Sequence, residues 1–433
     1  GKGGVLGVLK YAPTKATVLA TYDEGGAGII RRAVGHGFAY AFGVDLGYLL
    51  LRGYNYRQEG VARSYVNEYE PNLDVFLQLL RNIYARGEPG AVTLSTVPGG
   101  CPMSVLLTHD IDFTRSIKNV VEYAEMERGL GVGATYFIQT KYVRDWNDDV
   151  FFDDTVKAPL ARLKVLGMEI ASHSVSHSRV FAGFPMGTGR EAYPEYRPFV
   201  VKQTQAVHAS ILGELRVSRY LLEQMTPGLR VRSFRPGHLS NPFNLPQALA
   251  AAGFDFSSSI TANSSLTHLP FRLTYARGKE AQTPTYEFPV TIEDELPPRL
   301  DTRLPEAIAV ADHLAKYGGV MNVLIHTDIT AHKLEFERGL IEALKKRHAW
   351  FGTVETFGDW WRQRDRVDVA TSVAGASLVV RLQSDGPIEG LCLEIPDGWK
   401  LHAVPATAGA VHQDGNLVVI ARFEGKVALT FDR

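Results

Sequence analysis

The sequence predicts an α/β protein whose parallel sheet is flanked by two β-rich segments, and three observations carry that reading. Between residues 103 and 365, short apolar runs alternate with helical stretches, as strand–helix–strand units do. Nearly every polar cluster with chemical promise falls at the C-terminal end of one of those runs, where parallel α/β folds keep their chemistry. The character of the chain changes near residue 98 and again near residue 366. The 433 residues therefore divide into 1–98, 99–366 and 367–433, a length that suits two or three units.

In the first segment, β-rich runs at Ala16–Thr21, Ala27–Arg32 and Gly37–Gly43 are separated by the turns Asp23-Glu24-Gly25-Gly26 and Gly35-His36-Gly37. Leu73, Phe76, Leu77, Leu80 and Ile83 then mark a helix over Leu73–Ala85. The phrase from Ala16 to Leu46 resembles the tail of class I amidotransferase-like domains. No cysteine precedes Cys101, so an amidotransferase nucleophile is absent, and the segment reads as such a tail or as a structural domain.

In the central segment the strand candidates are Ser104–Thr108, Ala134–Ile138, Glu169–Ser172, Val231–Phe234, Phe254–Ser258, Tyr286–Val290 and Val320–Ile325. Helices are expected between several of them, among them Ile117–Arg128 and Pro246–Ala252. Seven or so such strands predict a parallel sheet, as a barrel or as an open sheet. After Arg366, four alternating runs (Ser377–Leu382, Gly390–Ile395, Leu417–Ala421 and Lys426–Phe431) predict a small antiparallel β-sandwich.

Composition narrows the function. Hydrophobic residues at 45% and charged ones at 21% predict an ordinary soluble core. A net charge of −1 speaks against a general nucleic-acid binder, which needs a basic face to displace phosphate counterions. The two cysteines, Cys101 and Cys392, exclude a disulfide scaffold and a clustered-thiolate zinc site. No apolar run reaches the length of a membrane span. The chain opens on Gly1, read as a trimmed or processed start, so the lack of a signal peptide says little about export.

Four clusters carry chemistry. Val105-Leu-Leu-Thr-His-Asp-Ile-Asp112 runs an apolar strand into two carboxylates, which need a metal, a cation or protonation if buried. Ser172-His-Ser-Val-Ser-His177 offers two imidazoles four apart, able to converge on one ion if the strand passes into a helical turn. Ser233-Phe-Arg-Pro-Gly-His238 ends a strand in an arginine, with His238 either lining a pocket or sitting in a turn. Val323-Leu-Ile-His326 ends another in a histidine. Each alone has a plain structural reading. Their order and spacing together do not.

That ensemble resembles the polysaccharide deacetylases of carbohydrate esterase family 4, the NodB-type fold. Ala134-Thr-Tyr-Phe137, Leu166-Gly-Met-Glu-Ile170 and Ala252-Gly-Phe-Asp-Phe-Ser257 support it. The resemblance implies a distorted (β/α) barrel of about seven strands and a divalent ion, commonly zinc. It implies Asp112, His173 and His177 as metal ligands, Asp110 as general base, His326 as general acid, and Arg235 as the cation beside the base. The chain departs from the family's pattern: His109 replaces an aromatic residue, and Ile111 separates two carboxylates that are normally adjacent. The roles of Asp110 and Asp112 are thus open to exchange. Asp294 and Glu287 are both candidates for the acidic residue that tunes the catalytic histidine. Phe256, Tyr193 and Tyr196 are candidates for the aromatic wall beside the sugar.

The function expected from the resemblance is metal-dependent hydrolysis of N-acetyl groups on an amino-sugar polysaccharide, an exopolysaccharide or cell-wall glycan. The alternatives are an amidohydrolase on a small non-sugar amide and an inactive carbohydrate-binding or assembly protein. The substrate class implies an extracytoplasmic location. The long connections Ser178–Val201 and Thr261–Thr285 suit a polymer-facing cleft.

Overall fold

The computed structural model describes residues 7–55, 67–278, 281–405 and 408–433, so Gly1 lies outside the described residues. At the centre are seven strands: β1 (Ser104–Ile111), β2 (Thr135–Ile138), β3 (Glu169–Ser172), β4 (Ser233–Phe234), β5 (Phe256–Ser257), β6 (Gln282–Glu287) and β7 (Val320–His326). They pair in parallel in the order β7–β1–β2–β3–β4–β5–β6. Beyond β6 the chain bridges Val290 to Thr261 and Ile292 to Val323. Leu324 N donates to the Ile292 carbonyl at 2.8 Å, so the sheet curls until its far end meets β7 again.

β1 is buried along its whole length, which is why it reads as a continuous apolar run rather than an alternating one. Its two faces still differ. Val105, Leu107 and Ile111 pack in the large core shared with the surrounding helices, whereas Leu106 packs with Phe137, Ala171, Phe256 and Phe288 inside the curl. The helix Thr114–Gly129 buries Ile117, Val120 and Ala124 against the sheet, three and four residues apart as one helical face requires. Leu245–Ala252 carries Pro246 in its first turn and stops at Gly253, whose φ of +75° suits glycine.

Some expectations shift. The strand foreseen over Tyr286–Val290 ends at Glu287 and begins earlier, at Gln282; Pro289 has no N–H with which to continue the ladder. The irregular connection foreseen over Thr261–Thr285 contains a strand, Phe271–Thr274, antiparallel to β6. The four C-terminal runs belong to two long strands, Ser377–Glu394 and Leu417–Asp432, whose shared ladder shifts register between Ser384 and Ile388. They sit in one six-stranded sheet over a core that includes Val380, Leu391, Ile420 and Leu429.

The first segment forms a three-stranded antiparallel sheet over residues 17–42 and a helix, Leu73–Gly87. Buried Asp74 on that helix accepts from Thr267 Oγ1 at 2.6 Å and His268 N at 2.8 Å. Asn67 Nδ2 donates to Glu293 Oε1 at 2.5 Å, and Glu293 N donates back to Asn67 Oδ1 at 2.8 Å. The first segment thus props the backbone one residue before Asp294. No helix among the described residues is long and apolar enough to cross a membrane.

Candidate metal centre and active site

Asp110 lies near the end of β1 and Asp112 just past it, His173 and His177 follow β3, Arg235 follows β4, and His326 ends β7. All six lie at the C-terminal end of the curled sheet, and it brings them together. His173 Nε2 stands 3.1 Å from Asp112 Oδ1, and His177 Nε2 stands 3.4 Å from Asp112 Oδ2. One ligand atom from each of Asp112, His173 and His177 fits within 4.8 Å of the others, and all three residues are buried.

The donor set fits a divalent ion. His173 Nε2 and Asp112 Oδ1 face each other without making a hydrogen bond, so both are orphaned polar atoms in a buried place. His173 Nδ1 lies 2.8 Å from the Arg235 carbonyl. Donation from Nδ1 to that carbonyl leaves the Nε2 lone pair facing the focus, the arrangement that orients metal-binding histidines. Burial pushes the His177 pKa down to about 4, so its ring is neutral and able to ligate. Burial would raise the Asp112 carboxyl, but His177, His173 and His326 hold it well below the usual carboxylate range.

His173 and His177 do not converge through a helical turn. Ser174 and His177 adopt φ of +66° and +52°, uncommon for residues with a Cβ and typical of strained functional loops. Glu214, on the helix Ile211–Met225, holds this loop: its Oε2 accepts from Val175 N and Ser176 N, both at 2.8 Å. Tyr196 OH donates to Glu214 Oε1 at 2.9 Å. Asn147 Nδ2 donates to the His177 carbonyl at 3.2 Å. Gly237 completes the cradle, because a Cβ there would lie 2.4 Å from His177 Cδ2.

Two carboxylate-centred pairs flank the focus. Arg235 Nη1 donates to Asp110 Oδ1 at 2.7 Å, while its Nη2 donates to Thr108 Oγ1 and Ser258 Oγ. On the other side, His326 Nδ1 lies 2.7 Å from Asp294 Oδ1, and His326 Nε2 lies 3.4 Å from Asp112 Oδ2. Lys333 Nζ sits 2.6 Å from Asp294 Oδ2. Burial would lower the His326 pKa, but Asp294 and Asp112 raise it well above the ordinary histidine value. Asp294 itself falls to about 2: burial opposes the shift, and His326 and Lys333 outweigh it.

Of the two acidic candidates, Asp294 touches His326, whereas Glu287 accepts from Ser259 N at 2.5 Å. Of the aromatic candidates, Phe256 and Tyr196 are buried and Tyr193 is exposed, its ring edge-on to Tyr142. His238 packs its ring 4.4 Å from that of His177. Glu214, Asn147 and Gly237 were not singled out from sequence. Only Gly237 left a trace there, inside the Arg-Pro-Gly-His phrase.

A curled α/β sheet with an Asp–His–His focus at its strand ends defines the class. Residues 100–257 match the family model described as polysaccharide deacetylase. This part of the chain is thus similar to the polysaccharide deacetylases. Among solved structures, the chain is similar to a Mycobacterium smegmatis protein named for the polysaccharide deacetylases. Identity is 14%, over 63% of this chain and 95% of that one, with a TM-score of 0.47. A family 4 carbohydrate esterase from Streptomyces lividans, solved with acetate, is 16% identical over 59% of this chain and 94% of that one, with a TM-score of 0.35. A family 4 pseudoenzyme from Bacillus anthracis is 14% identical over 60% and 66%, with a TM-score of 0.36. No curated protein matches the chain.

Proposed function

We propose that this protein is a metal-dependent deacetylase that removes N-acetyl groups from an amino-sugar polysaccharide. The observation that carries the reading is the single focus of Asp112, His173 and His177 with a separate carboxylate–arginine pair on one side and a carboxylate–histidine pair on the other. Those are the parts that amide hydrolysis needs: three ligands, a base and an acid.

Asp112, His173 and His177 would hold a divalent ion, zinc being the family's common choice. When bound, such an ion polarises the amide carbonyl and acidifies water. Asp110, kept beside the Arg235 guanidinium, takes the proton from the attacking water. His326 keeps its own proton because Asp294 and Asp112 favour the imidazolium, and it gives that proton to the departing amine from Nε2. Nδ1–H stays donated to Asp294 throughout, fixing the ring. The products are acetate and a free amino sugar.

The test pairs two substitutions. Asp110→Asn should keep the metal and lose acetate release from an acetylated amino-sugar oligomer. Asp112→Asn should lower the metal content itself. Metal lost from Asp110→Asn and retained in Asp112→Asn would reverse the assignment of the two carboxylates. Metal retained in both, with full activity, would end the proposal.

A further inference from the structure

Alternation along β1 sends Thr108, Asp110 and Asp112 into the curl and His109 outward, toward the helices. There His109 meets Glu127 of the helix Thr114–Gly129 and Glu337 of the helix Ala331–Lys345. The three side chains are wholly enclosed. His109 Nε2 lies 2.7 Å from Glu127 Oε1 and 3.4 Å from Glu337 Oε1, and one ligand atom from each residue fits within 4.8 Å of the others.

Charge makes this cluster unusual. Among the described ion pairs, neither glutamate meets a lysine or arginine; His109 is the partner of both. Two carboxylates and one imidazole share a site shut off from bulk solvent, where unpaired charge is costly. Glu127 is satisfied, since Tyr136 OH donates to its Oε2 at 2.7 Å. Glu337 is not: both of its carboxylate oxygens are buried and neither accepts a hydrogen bond. Burial pushes its carboxyl up to about 8.

The geometry points to a second, structural metal site at His109, Glu127 and Glu337, suited to a divalent transition ion such as zinc or manganese. One nitrogen and two carboxylate oxygens form a borderline-hard donor set for such ions. A divalent cation would neutralise the two glutamates once His109 gives up its proton, and it would give the Glu337 oxygens, which accept no hydrogen bond, a direct ligand contact. Without the ion, Nε2–H donates to Glu127 at 2.7 Å; burial would lower the His109 pKa, but the two glutamates push it up to about 10. The ion would displace that proton, and donation from Nδ1 to the Ile325 carbonyl 3.2 Å away would then keep the Nε2 lone pair on the metal. Tyr136 plays the outer partner to Glu127. Ligand atoms around tetrahedral zinc stand about 3.3 Å apart, so the His109–Glu127 contact would widen slightly while the His109–Glu337 contact already matches. The ion would tie two helices to the strand that carries Asp110 and Asp112. It is independent of the deacetylase reading, because the two ligand sets share no residue.

Chelation separates the two ions. The intact protein, refolded with zinc or manganese and freed of excess metal, should contain two ions per chain by mass-spectrometric metal analysis. Chelator applied to the folded protein should remove the ion at the open strand ends and leave the enclosed one, which is released only on unfolding. Glu337→Gln should hold one ion per chain, and that one should be lost on chelation without unfolding. Should Glu337→Gln fail to fold, His173→Ala answers the same question, since it should retain one chelator-resistant ion. A wild-type protein with one ion, removed by chelation and absent from His173→Ala, overturns this inference while sparing the deacetylase site. A proton shared between Glu127 and Glu337 would then fill the cluster. One chelator-resistant ion in both wild type and His173→Ala would support the second site and count against the first.

Discussion

Asp294→Asn tests whether the acid is tuned by charge or merely positioned. The amide keeps the size of the carboxylate and an oxygen to accept from His326 Nδ1–H, so it removes charge while keeping a hydrogen bond. The magnitude follows from Asp294, whose carboxyl lies at about 2 against an ordinary 3.8, despite burial that opposes the shift. A lowering of that size corresponds to roughly 2 to 3 kcal/mol in favour of the ionised carboxylate, net of the opposing burial. Of the cationic neighbours that attract it, His326 is first and Lys333 second. Attraction is mutual, so part of it sustains the imidazolium of His326. The sign is fixed: removing the negative charge lowers the pKa of the folded histidine, and the proton is lost at lower pH. Lys333, still 2.6 Å from Asp328 but no longer neutralised by Asp294, pushes in the same direction. The alkaline limb of the kcat–pH profile, which reports the acid in the substrate complex, should therefore move toward acid by about one pH unit or more. Metal content and the low-pH plateau should change little. Rates of acetate release across pH 5 to 10, with metal analysis on the same sample, read both. An unshifted profile, lowered uniformly at every pH, would refute electrostatic tuning and leave Asp294 a scaffold.

Three further outcomes are expected. His326→Ala should cut amide hydrolysis by about 100- to 10,000-fold, the usual worth of a general acid, while sparing much of the turnover of an activated acetate ester, whose leaving group needs no proton; equal loss on both in a metal-loaded protein removes His326 from that role. Gly237→Ala places a Cβ against the ring and the Cα of His177, so zinc affinity by calorimetric titration should fall about 10-fold or more with the helical circular dichroism unchanged; unaltered affinity would show that the loop yields freely. Glu214→Gln removes the charge from the acceptor of two backbone N–H groups and should cost about 2 kcal/mol in denaturant unfolding and weaken metal binding; a variant as stable as wild type would show that the loop between the histidines needs no such clamp.

The candidate residues at the strand ends were legible because the signal is local. An apolar run that stops at Asp, His or Arg marks both a strand and the end where a site can form, and β1, β3, β4 and β7 each do so. What escaped was supplied from a distance. Glu214 lies 37 residues beyond His177 on a helix, and nothing around it separates a loop clamp from a solvent-facing glutamate. Asp294 and Glu287 looked alike, both acidic and both near one strand. Glu287 is still within β6 and turns to Ser259, whereas Asp294 follows the bridge at Ile292 and so arrives beside β7. The C-terminal runs looked like four strands because Asp385-Gly386-Pro387 reads as a turn. The ladder absorbs that stretch as an irregularity and continues, which a one-dimensional reading cannot distinguish from a chain reversal.

The spacing of the two carboxylates bears most directly on the division of labour. In a strand, residues two apart share a face, and β1 remains paired through Ile111. Asp110 and Asp112 therefore both enter the curl, while Ile111 between them packs outward in the helix-facing core. Their partners then differ by depth. Asp110, deeper along the strand, meets Arg235, a fixed cation that already satisfies one of its oxygens. Asp112, nearer the rim, meets three histidines and, among the described residues, no arginine or lysine. An ion competes poorly for a carboxylate already bound to guanidinium and better for one whose oxygens face the ring nitrogens of His173 and His177, which can ligate beside it. Exchanging the roles would require Asp110 to reach His177 as well, yet among the described residues its ion pair with a histidine is with His173, at 3.6 Å. The inserted isoleucine thus keeps both acids at the mouth, and Arg235 supplies the asymmetry that makes Asp110 the base and Asp112 the ligand in the proposed reaction.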